Sequence, residues 1–217
     1  MSLAFLALFC LCATVHLAAC LCRRDALRRA TKPPLMPLLA CWYAVAAGAS
    51  LWPAVVLALL CATAGDTLLL SHRGHGALFA AGTACFALGH GCYIFALLSR
   101  LSAPLPEPAV PLCAVGYAAL TAASAAYFWP HLPRKAAPFC VLYMAILAGM
   151  SCCALLYALS GAPGGWVVYA GSLLFLASDA LLTHTTFCTT AGEHRFSVML
   201  TYLAAQALMV AGFLGGF

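Results

Sequence analysis

Unbroken apolar runs of about 20 residues recur along this sequence and leave few folds open. Runs of this length match the apolar thickness of a bilayer, where every backbone N–H and C=O needs a partner within the protein. Helices and closed barrels meet that need, and the runs lack the alternation of polar and apolar residues that barrel strands show. A chain with 65% hydrophobic and 7% charged residues cannot cover a water-soluble surface. The sequence therefore predicts an all-α integral membrane protein.

The apolar runs predict a bundle of about eight transmembrane helices in a single domain spanning residues 1–217. Short connections rich in proline, glycine and charged residues separate them and leave no room for a soluble domain. The second run is the shortest. The predicted spans are 3–22, 34–49, 53–71, 77–98, 109–128, 138–159, 166–187 and 197–215.

The basic residues predict an orientation in the membrane. With eight spans, all of them except Arg100 fall on one side, which the positive-inside rule makes the cytoplasmic side. The first span lacks a preceding basic segment and is followed by Arg23 and Arg24, so we expect it to be retained, with both termini facing the lumen or exterior. The expected location is the endoplasmic reticulum membrane in a eukaryote or the cytoplasmic membrane in a bacterium. Because the net charge of +5 reflects this loop bias, we expect no nucleic-acid partner.

Two segments of the chain echo each other. Gly65–Leu69 in the third span and Ser178–Leu182 in the seventh both read small-Asp-x-Leu-Leu. A basic residue followed by proline also precedes the second span, at Lys32-Pro33, and the sixth, at residues 134–138. A duplicated four-helix unit would explain both echoes. Chance also explains them, because Leu-Leu pairs are common in so apolar a chain.

Asp66 and Asp179 are the two of the five acidic residues that fall within predicted spans. A carboxylate inside a bilayer is costly, so it marks a candidate functional site. Both spans run in the same direction and place the carboxyl at a similar depth, which would let the two face each other. Burial and mutual repulsion would leave one proton on the pair, giving an acid and a base. The alternative is that each aspartate only hydrogen-bonds a neighbouring helix.

Other polar side chains also fall within the spans. His90 and Tyr93 share one helix face by their i, i+3 spacing, and Tyr202 and Gln206 share another by i, i+4. Gln206 is the only glutamine, and the chain has no asparagine. These residues and Tyr143 could equally serve ordinary helix packing.

The sequence predicts no metal site. His72 and His75 flank a loop, and His90 lies in a span, but their spacing matches no metal-binding motif. The 13 cysteines fall mostly within spans and form no C-x-x-C pair. We therefore expect no metal and no redox cofactor.

Five short motifs follow one another along the spans. They are Lys32-Pro33, Gly65-Asp66-x-Leu-Leu, His90 with Tyr93-Ile94, Ser178-Asp179-x-Leu-Leu, and Thr201-Tyr202 with Ala205-Gln206. In this order they resemble the lysoplasmalogenase (YhhN-like) family of membrane proteins, from about residue 32 to about residue 214. The spans are unusually rich in alanine and cysteine, which leaves the preferred acyl chain open.

The resemblance implies an enzyme that hydrolyses the vinyl ether bond of lysoplasmalogen, releasing a fatty aldehyde and glycerophosphoethanolamine or glycerophosphocholine. Asp66 and Asp179 would be the catalytic pair: one protonates the ether, and the other stabilises the cation and activates water. The implied partners are a lysophospholipid with a vinyl ether chain and the membrane lipids. Lys32 would receive the phosphate. The other implied substrate-binding residues are His90, Tyr93, Tyr143, Ser178, Tyr202 and Gln206.

Other kinds of protein remain open at this point. A proton-coupled carrier or lipid transporter uses intramembrane aspartates in the same way, and a metal-dependent lipid hydrolase is the other enzyme to consider. A non-catalytic interaction protein is the third alternative. Formation of a new compound in detergent separates an enzyme from a carrier, and sensitivity to a chelator separates the two enzymes. The sequence leaves the head group, chain length and oligomeric state open.

Overall fold

The computed structural model of the chain describes residues 2–71, 76–188 and 194–215. Over these ranges it consists of helices and short connections, without a strand. The predicted all-α class is confirmed. His72 and His75, considered above as metal ligands, lie outside the described residues.

Nine α-helices follow one another in the described part of the chain, with single 3-10 turns at Gly48–Ser50 and Trp129–His131. All but the second and third are long and apolar enough to cross a membrane. They are α1 Ser2–Leu21, α2 Asp25–Thr31, α3 Leu35–Ala47, α4 Pro53–Ser71, α5 Ala77–Leu98, α6 Ala109–Phe128, α7 Ala137–Leu159, α8 Gly165–Phe187 and α9 Arg195–Phe213.

The second predicted span, 34–49, differs most from the structure. Its helix α3 has 13 residues, which gives a length of about 20 Å. The apolar layer of a bilayer is about 30 Å thick, so α3 is too short to cross it alone. Gly48, with a φ of +51°, ends the helix. Seven helices rather than eight therefore meet the length criterion in the described part, and the predicted orientation, which assumed eight crossings, stays a prediction.

The chain forms two compact units, Met1–Tyr93 and Ile94–Phe217. In the first unit α1 packs against α2 and α3, and α3 packs against α4. In the second unit α8 makes its most extensive contact with α9, while α7 packs against both α6 and α8. The boundary between the units falls within α5, and the predicted duplication and the predicted single domain both stay predictions.

Glycine allows a close helix approach in the second unit. A Cβ added at Gly171 on α8 would lie 2.9 Å from the carbonyl oxygen of Ala205 and 2.9 Å from the backbone nitrogen of Met209, both on α9. Lipid is as apolar as the side chains, so close packing of this kind is what holds membrane helices together. Gly171 therefore lets α8 and α9 touch along their backbones.

We expect Gly171→Ala to lower the free energy of unfolding by about 1–3 kcal/mol, because the added methyl group meets backbone atoms that cannot rotate away. Gly149→Ala on α7 is the matched control, since a Cβ there has nothing within 4 Å. It should be neutral or slightly stabilising. Thermal unfolding of both variants in the same detergent measures the difference, and equal stabilities would contradict this account of the packing.

Candidate active site

Asp66 lies on α4 in the first unit, and its position depends on the residue before it. A Cβ added at Gly65 would lie 2.7 Å from the ring of Phe86 and 3.1 Å from the carbonyl oxygen of Gly82, both on α5. The small residue of the Gly65–Leu69 motif is therefore used for helix packing. Asp66 itself is buried, with 3% of its surface exposed. A carboxylate at such a place needs compensating charge or hydrogen bonds.

Lys32 supplies that compensation. Its Nζ lies 2.9 Å from Oδ1 of Asp66, and the two side chains are 13% and 4% exposed. Lys32 follows the last residue of α2, and its backbone N–H donates to the carbonyl oxygen of Arg28. An ammonium at this distance forms a charge-assisted hydrogen bond with the carboxyl group. The side chain predicted to receive a phosphate is thus in direct contact with one of the predicted catalytic residues.

His90 and Tyr93 lie on α5 and belong to the first unit. Both are buried, with 2% and 1% of their surfaces exposed. They share one helix face, as their spacing predicts. Their predicted role in substrate binding stays a prediction.

Asp179 lies on α8 in the second unit and is half-buried. The hydroxyl group of Tyr143, on α7, donates a hydrogen bond to its Oδ2. The aspartate's backbone carbonyl accepts a hydrogen bond from the hydroxyl of Thr183, one turn further along the helix. The structure thus brings together two of the predicted site residues, Tyr143 and Asp179.

The Tyr143–Asp179 pair lies on the wall of an open groove formed by α6, α7 and α8. The groove, together with the open space at its mouth, has an empty volume of about 430 Å³. Most of its lining is apolar, with a few hydroxyl groups beside the carboxyl group. The lining residues are Leu120, Thr121, Ser124, Phe128, Tyr143, Met144, Leu147, Ala148, Leu176, Asp179, Ala180 and Thr183. An apolar groove with one polar pair suits an amphiphilic ligand.

Three further predicted residues lie in the packed region of α8 and α9. The hydroxyl of Ser178 is buried and donates to the carbonyl oxygen of Val198. The ring of Tyr202 meets the ring of Phe175 edge to face, with the centroids 5.5 Å apart. Gln206 is also buried. Ser178 therefore connects α8 and α9, and Gly65 of the other motif likewise lies at a contact between two helices. The predicted role of Ser178, Tyr202 and Gln206 in substrate binding stays a prediction.

Asp66 belongs to the first unit and Asp179 to the second, so the predicted meeting of the two carboxyl groups stays a prediction. Each aspartate does have a partner within its own unit. For Asp66 the partner is a cation at the entrance of α3, and for Asp179 it is a tyrosine on α7. The two echoing motifs thus place their carboxyl groups in different electrostatic surroundings.

The sequence analysis missed His16. This histidine lies on α1, is fully buried, and makes a hydrogen bond of 2.8 Å from Nδ1 to the hydroxyl oxygen of Thr31. An imidazole within an apolar run was the signal that could have revealed it. Among the described residues, no group of three or more histidine, cysteine or acidic side chains is arranged to hold a metal ion.

The fold and the site define a multi-pass helical membrane protein with one buried and one half-buried carboxyl group on two of its helices. The profile of the YhhN family matches residues 27–213, and the chain belongs to that family. The resemblance inferred from the motifs is confirmed.

Several relatives carry the name lysoplasmalogenase. Those of Mycobacterium bovis and Mycobacterium tuberculosis are each 32% identical to this chain over 163 residues, which is 75% of this chain and 60% of theirs. Lysoplasmalogenase TMEM86B of Mus musculus is 31% identical over 178 residues, 82% of this chain and 70% of its own. The chain thus spans about 60% of the length of the mycobacterial relatives it matches. No solved structure matches it.

Proposed function

We propose that this protein hydrolyses the vinyl ether bond of a lysoplasmalogen, producing a fatty aldehyde and glycerophosphoethanolamine or glycerophosphocholine. The name shared by its relatives supports this substrate class. The proposal rests on the different surroundings of two aspartates on membrane-spanning helices. Asp66 is paired with a lysine, and Asp179 accepts a hydrogen bond from a tyrosine hydroxyl beside an open groove. Two carboxyl groups in different surroundings provide an acid and a base.

Asp66 is proposed as the ionised member of the pair. The ammonium of Lys32 at 2.9 Å compensates its negative charge in a place that excludes most water. A permanent carboxylate stabilises a positively charged intermediate and accepts a proton from water. Lys32 has two further N–H donors, so a substrate phosphate remains a proposed second ligand of the same ammonium.

Asp179 is proposed as the acid. A two-carboxylate hydrolysis needs one protonated member, and the ion pair assigns the other role to Asp66. The Tyr143 hydroxyl donates to Oδ2 of Asp179 and so orients the carboxyl group. Because Asp179 lines the groove, a chain lying there would bring its vinyl ether to that proton.

The reaction then proceeds in balanced steps. Asp179 gives its proton to the β-carbon of the vinyl ether, and the electrons of the C=C bond form the new C–H bond. The resulting oxocarbenium ion is attacked by water, whose proton passes to Asp66. The hemiacetal finally breaks its bond to the glycerol oxygen, which takes the proton held by Asp66, while the hemiacetal hydroxyl gives its proton to Asp179 as the aldehyde forms. Both carboxyl groups then return to their starting states. Both carboxyl groups must reach one substrate in this scheme, and no metal or redox cofactor takes part.

The remaining predicted residues fit this scheme as ligands of the water and the glycerol oxygens. They are proposed in that role as a set: His90, Tyr93, Ser178, Tyr202 and Gln206. The proposed location is the endoplasmic reticulum membrane in a eukaryote or the cytoplasmic membrane in a bacterium. In either case the substrate can enter the groove from within the lipid layer.

The groove gives a prediction on chain length. Ala180 lies on its exposed lining, and we expect Ala180→Leu to raise KM for long-chain substrates by about tenfold while short chains are little affected, because the added carbons occupy space for the chain. Ala177→Leu is the control, since Ala177 is exposed on the same helix but does not line the groove. Steady-state kinetics over a series of chain lengths measures this. An equal effect of both substitutions would contradict the assignment of the groove.

Turnover in D₂O tests the chemistry. Protonation of the β-carbon by an acid that exchanges with solvent places one deuterium on the carbon next to the aldehyde group. The aldehyde should be reduced to the alcohol as it forms, so that later exchange adds no label, and then analysed by mass spectrometry. We expect one deuterium per product molecule. An unlabelled aldehyde would exclude protonation at carbon and, with it, the proposed roles of Asp66 and Asp179.

A further inference from the structure

His16 is a buried polar side chain on α1 that the proposed mechanism does not use. It is fully buried on a helix that is otherwise almost entirely apolar. A buried imidazole is costly unless both ring nitrogens find partners. The structure provides them: Nδ1 lies 2.8 Å from the Thr31 hydroxyl, and Nε2 lies 3.6 Å from the thiol of Cys20.

The directions of these hydrogen bonds can be worked out from the hydroxyl group. Thr31 donates its single hydroxyl proton to the carbonyl oxygen of Leu27 at 2.8 Å. In this arrangement the same oxygen accepts from Nδ1 of His16, in the tautomer that carries the ring proton there, and the Cys20 thiol donates to Nε2. The His16 ring is thus held between Thr31 and Cys20.

Thr31 is held to α1 at a second atom. The Cys12 thiol donates to its backbone carbonyl oxygen at 3.4 Å. Thr31 is the last residue of α2 and directly precedes Lys32, the residue whose Nζ lies 2.9 Å from Asp66. Contacts from α1 therefore fix the backbone one residue away from the buried cation. His16 thus contacts Thr31, Thr31 is followed in the sequence by Lys32, and Lys32 contacts Asp66.

We infer that His16 is a positioning residue that keeps the Lys32 ammonium on Asp66. The inference rests on the proposed function for its effect on turnover, but the link between His16 and Lys32 can be measured without activity. Helix α1 lies outside residues 27–213, the part that matches the family profile. Without the hydrogen bond to Thr31, the end of α2 can move and the ammonium leaves the carboxylate.

Lysine labelling tests the link directly. The chain has two lysines, Lys32 and the exposed Lys135, so Lys135 is an internal standard. The folded protein in detergent is treated with an amine-reactive reagent, and the ratio of labelled Lys32 to labelled Lys135 is read by mass spectrometry. We expect the ratio to rise several-fold in His16→Ala and to stay at the wild-type value in His16→Asn, whose side-chain amide can still donate to Thr31.

Turnover is measured on the same samples. Displacement of the Lys32 charge from Asp66 affects the chemical step, so His16→Ala should lower kcat by about tenfold, and His16→Asn should keep kcat near the wild-type value. In a Lys32→Gln background His16→Ala should have no further effect, because the two residues act through one contact. An unchanged labelling ratio in folded His16→Ala, or a raised ratio with an unchanged kcat, would overturn the inference. A raised labelling ratio in His16→Ala, together with a folded wild-type protein that hydrolyses no vinyl ether, would sink the proposed function and leave the link between His16 and Lys32 standing.

Discussion

Replacing Asp179 by asparagine is expected to lower kcat for vinyl ether hydrolysis by about 10²–10⁴-fold, the usual contribution of a general acid. Asparagine has nearly the same shape, and its side-chain oxygen can still accept the hydrogen bond from Tyr143. It cannot deliver a proton to carbon. The groove is unchanged, so KM should change little. Aldehyde release by the purified variant, at saturating substrate, measures the effect.

Asp25→Asn is the matched control for the loss of a carboxylate. Asp25 lies at the start of α2 and is well exposed, where it pairs with Arg28 at 3.3 Å. Its replacement should leave kcat unchanged. Both variants should melt close to the wild-type temperature in detergent, which shows that they are folded. An Asp179→Asn variant that is folded and fully active would remove Asp179 from the chemistry.

The second large effect is on stability. We expect Lys32→Met to lower the free energy of unfolding by about 3–5 kcal/mol, because it leaves the carboxylate of Asp66 buried without its cation. Methionine keeps most of the length of the lysine side chain, so little packing is lost. Unfolding in detergent, followed by circular dichroism, gives the difference from the wild type.

Two comparisons make this prediction specific. Arg28→Met breaks the exposed pair with Asp25 and should change stability by no more than about 1 kcal/mol. Adding Asp66→Asn to Lys32→Met removes the stranded charge, and it should recover most of the lost stability. If Lys32→Met and Arg28→Met were equally mild, the Lys32–Asp66 pair would not be a buried ion pair in solution.

The helices could be predicted from the sequence because a bilayer imposes one length and one composition on every crossing helix. The apolar run at 34–49 was predicted to be a full span, but Gly48, with its positive φ, ends α3 after 13 residues. Helix α2 was not predicted, because its segment is not an apolar run. Its seven residues include Asp25, Arg28 and Arg29, and a short charged segment carries no signal of a membrane helix.

The site was predictable as a set of residue types and not as a set of contacts. A carboxylate in an apolar run is conspicuous whatever its partner is, so Asp66 and Asp179 could be found by inspection. Their partners are far away in the sequence: Lys32 lies between α2 and α3, and Tyr143 lies on α7. Helix periodicity relates only residues three or four positions apart. Which distant side chains meet depends on how the helices pack.

The Ser178–Leu182 motif shows the same limit at one residue. A serine next to a candidate catalytic aspartate suggests a substrate ligand, yet its hydroxyl donates to the Val198 carbonyl oxygen of the adjacent helix. Hydroxyl groups serve helix packing and ligand binding equally well in membranes. The residue type alone therefore could not distinguish the two roles.

The most direct test of the account is product formation by the purified wild-type protein in detergent, where no membrane separates two compartments. It is given a lysoplasmalogen, or as the control the matching lysolipid with a saturated ether, in the presence and absence of EDTA. The account predicts one aldehyde for each glycerophospho product from the vinyl ether, none from the saturated ether, and no effect of EDTA. A folded protein that forms no aldehyde would contradict it and would favour a carrier that uses the same aspartates, whereas aldehyde formation abolished by EDTA would point to a metal-dependent hydrolase.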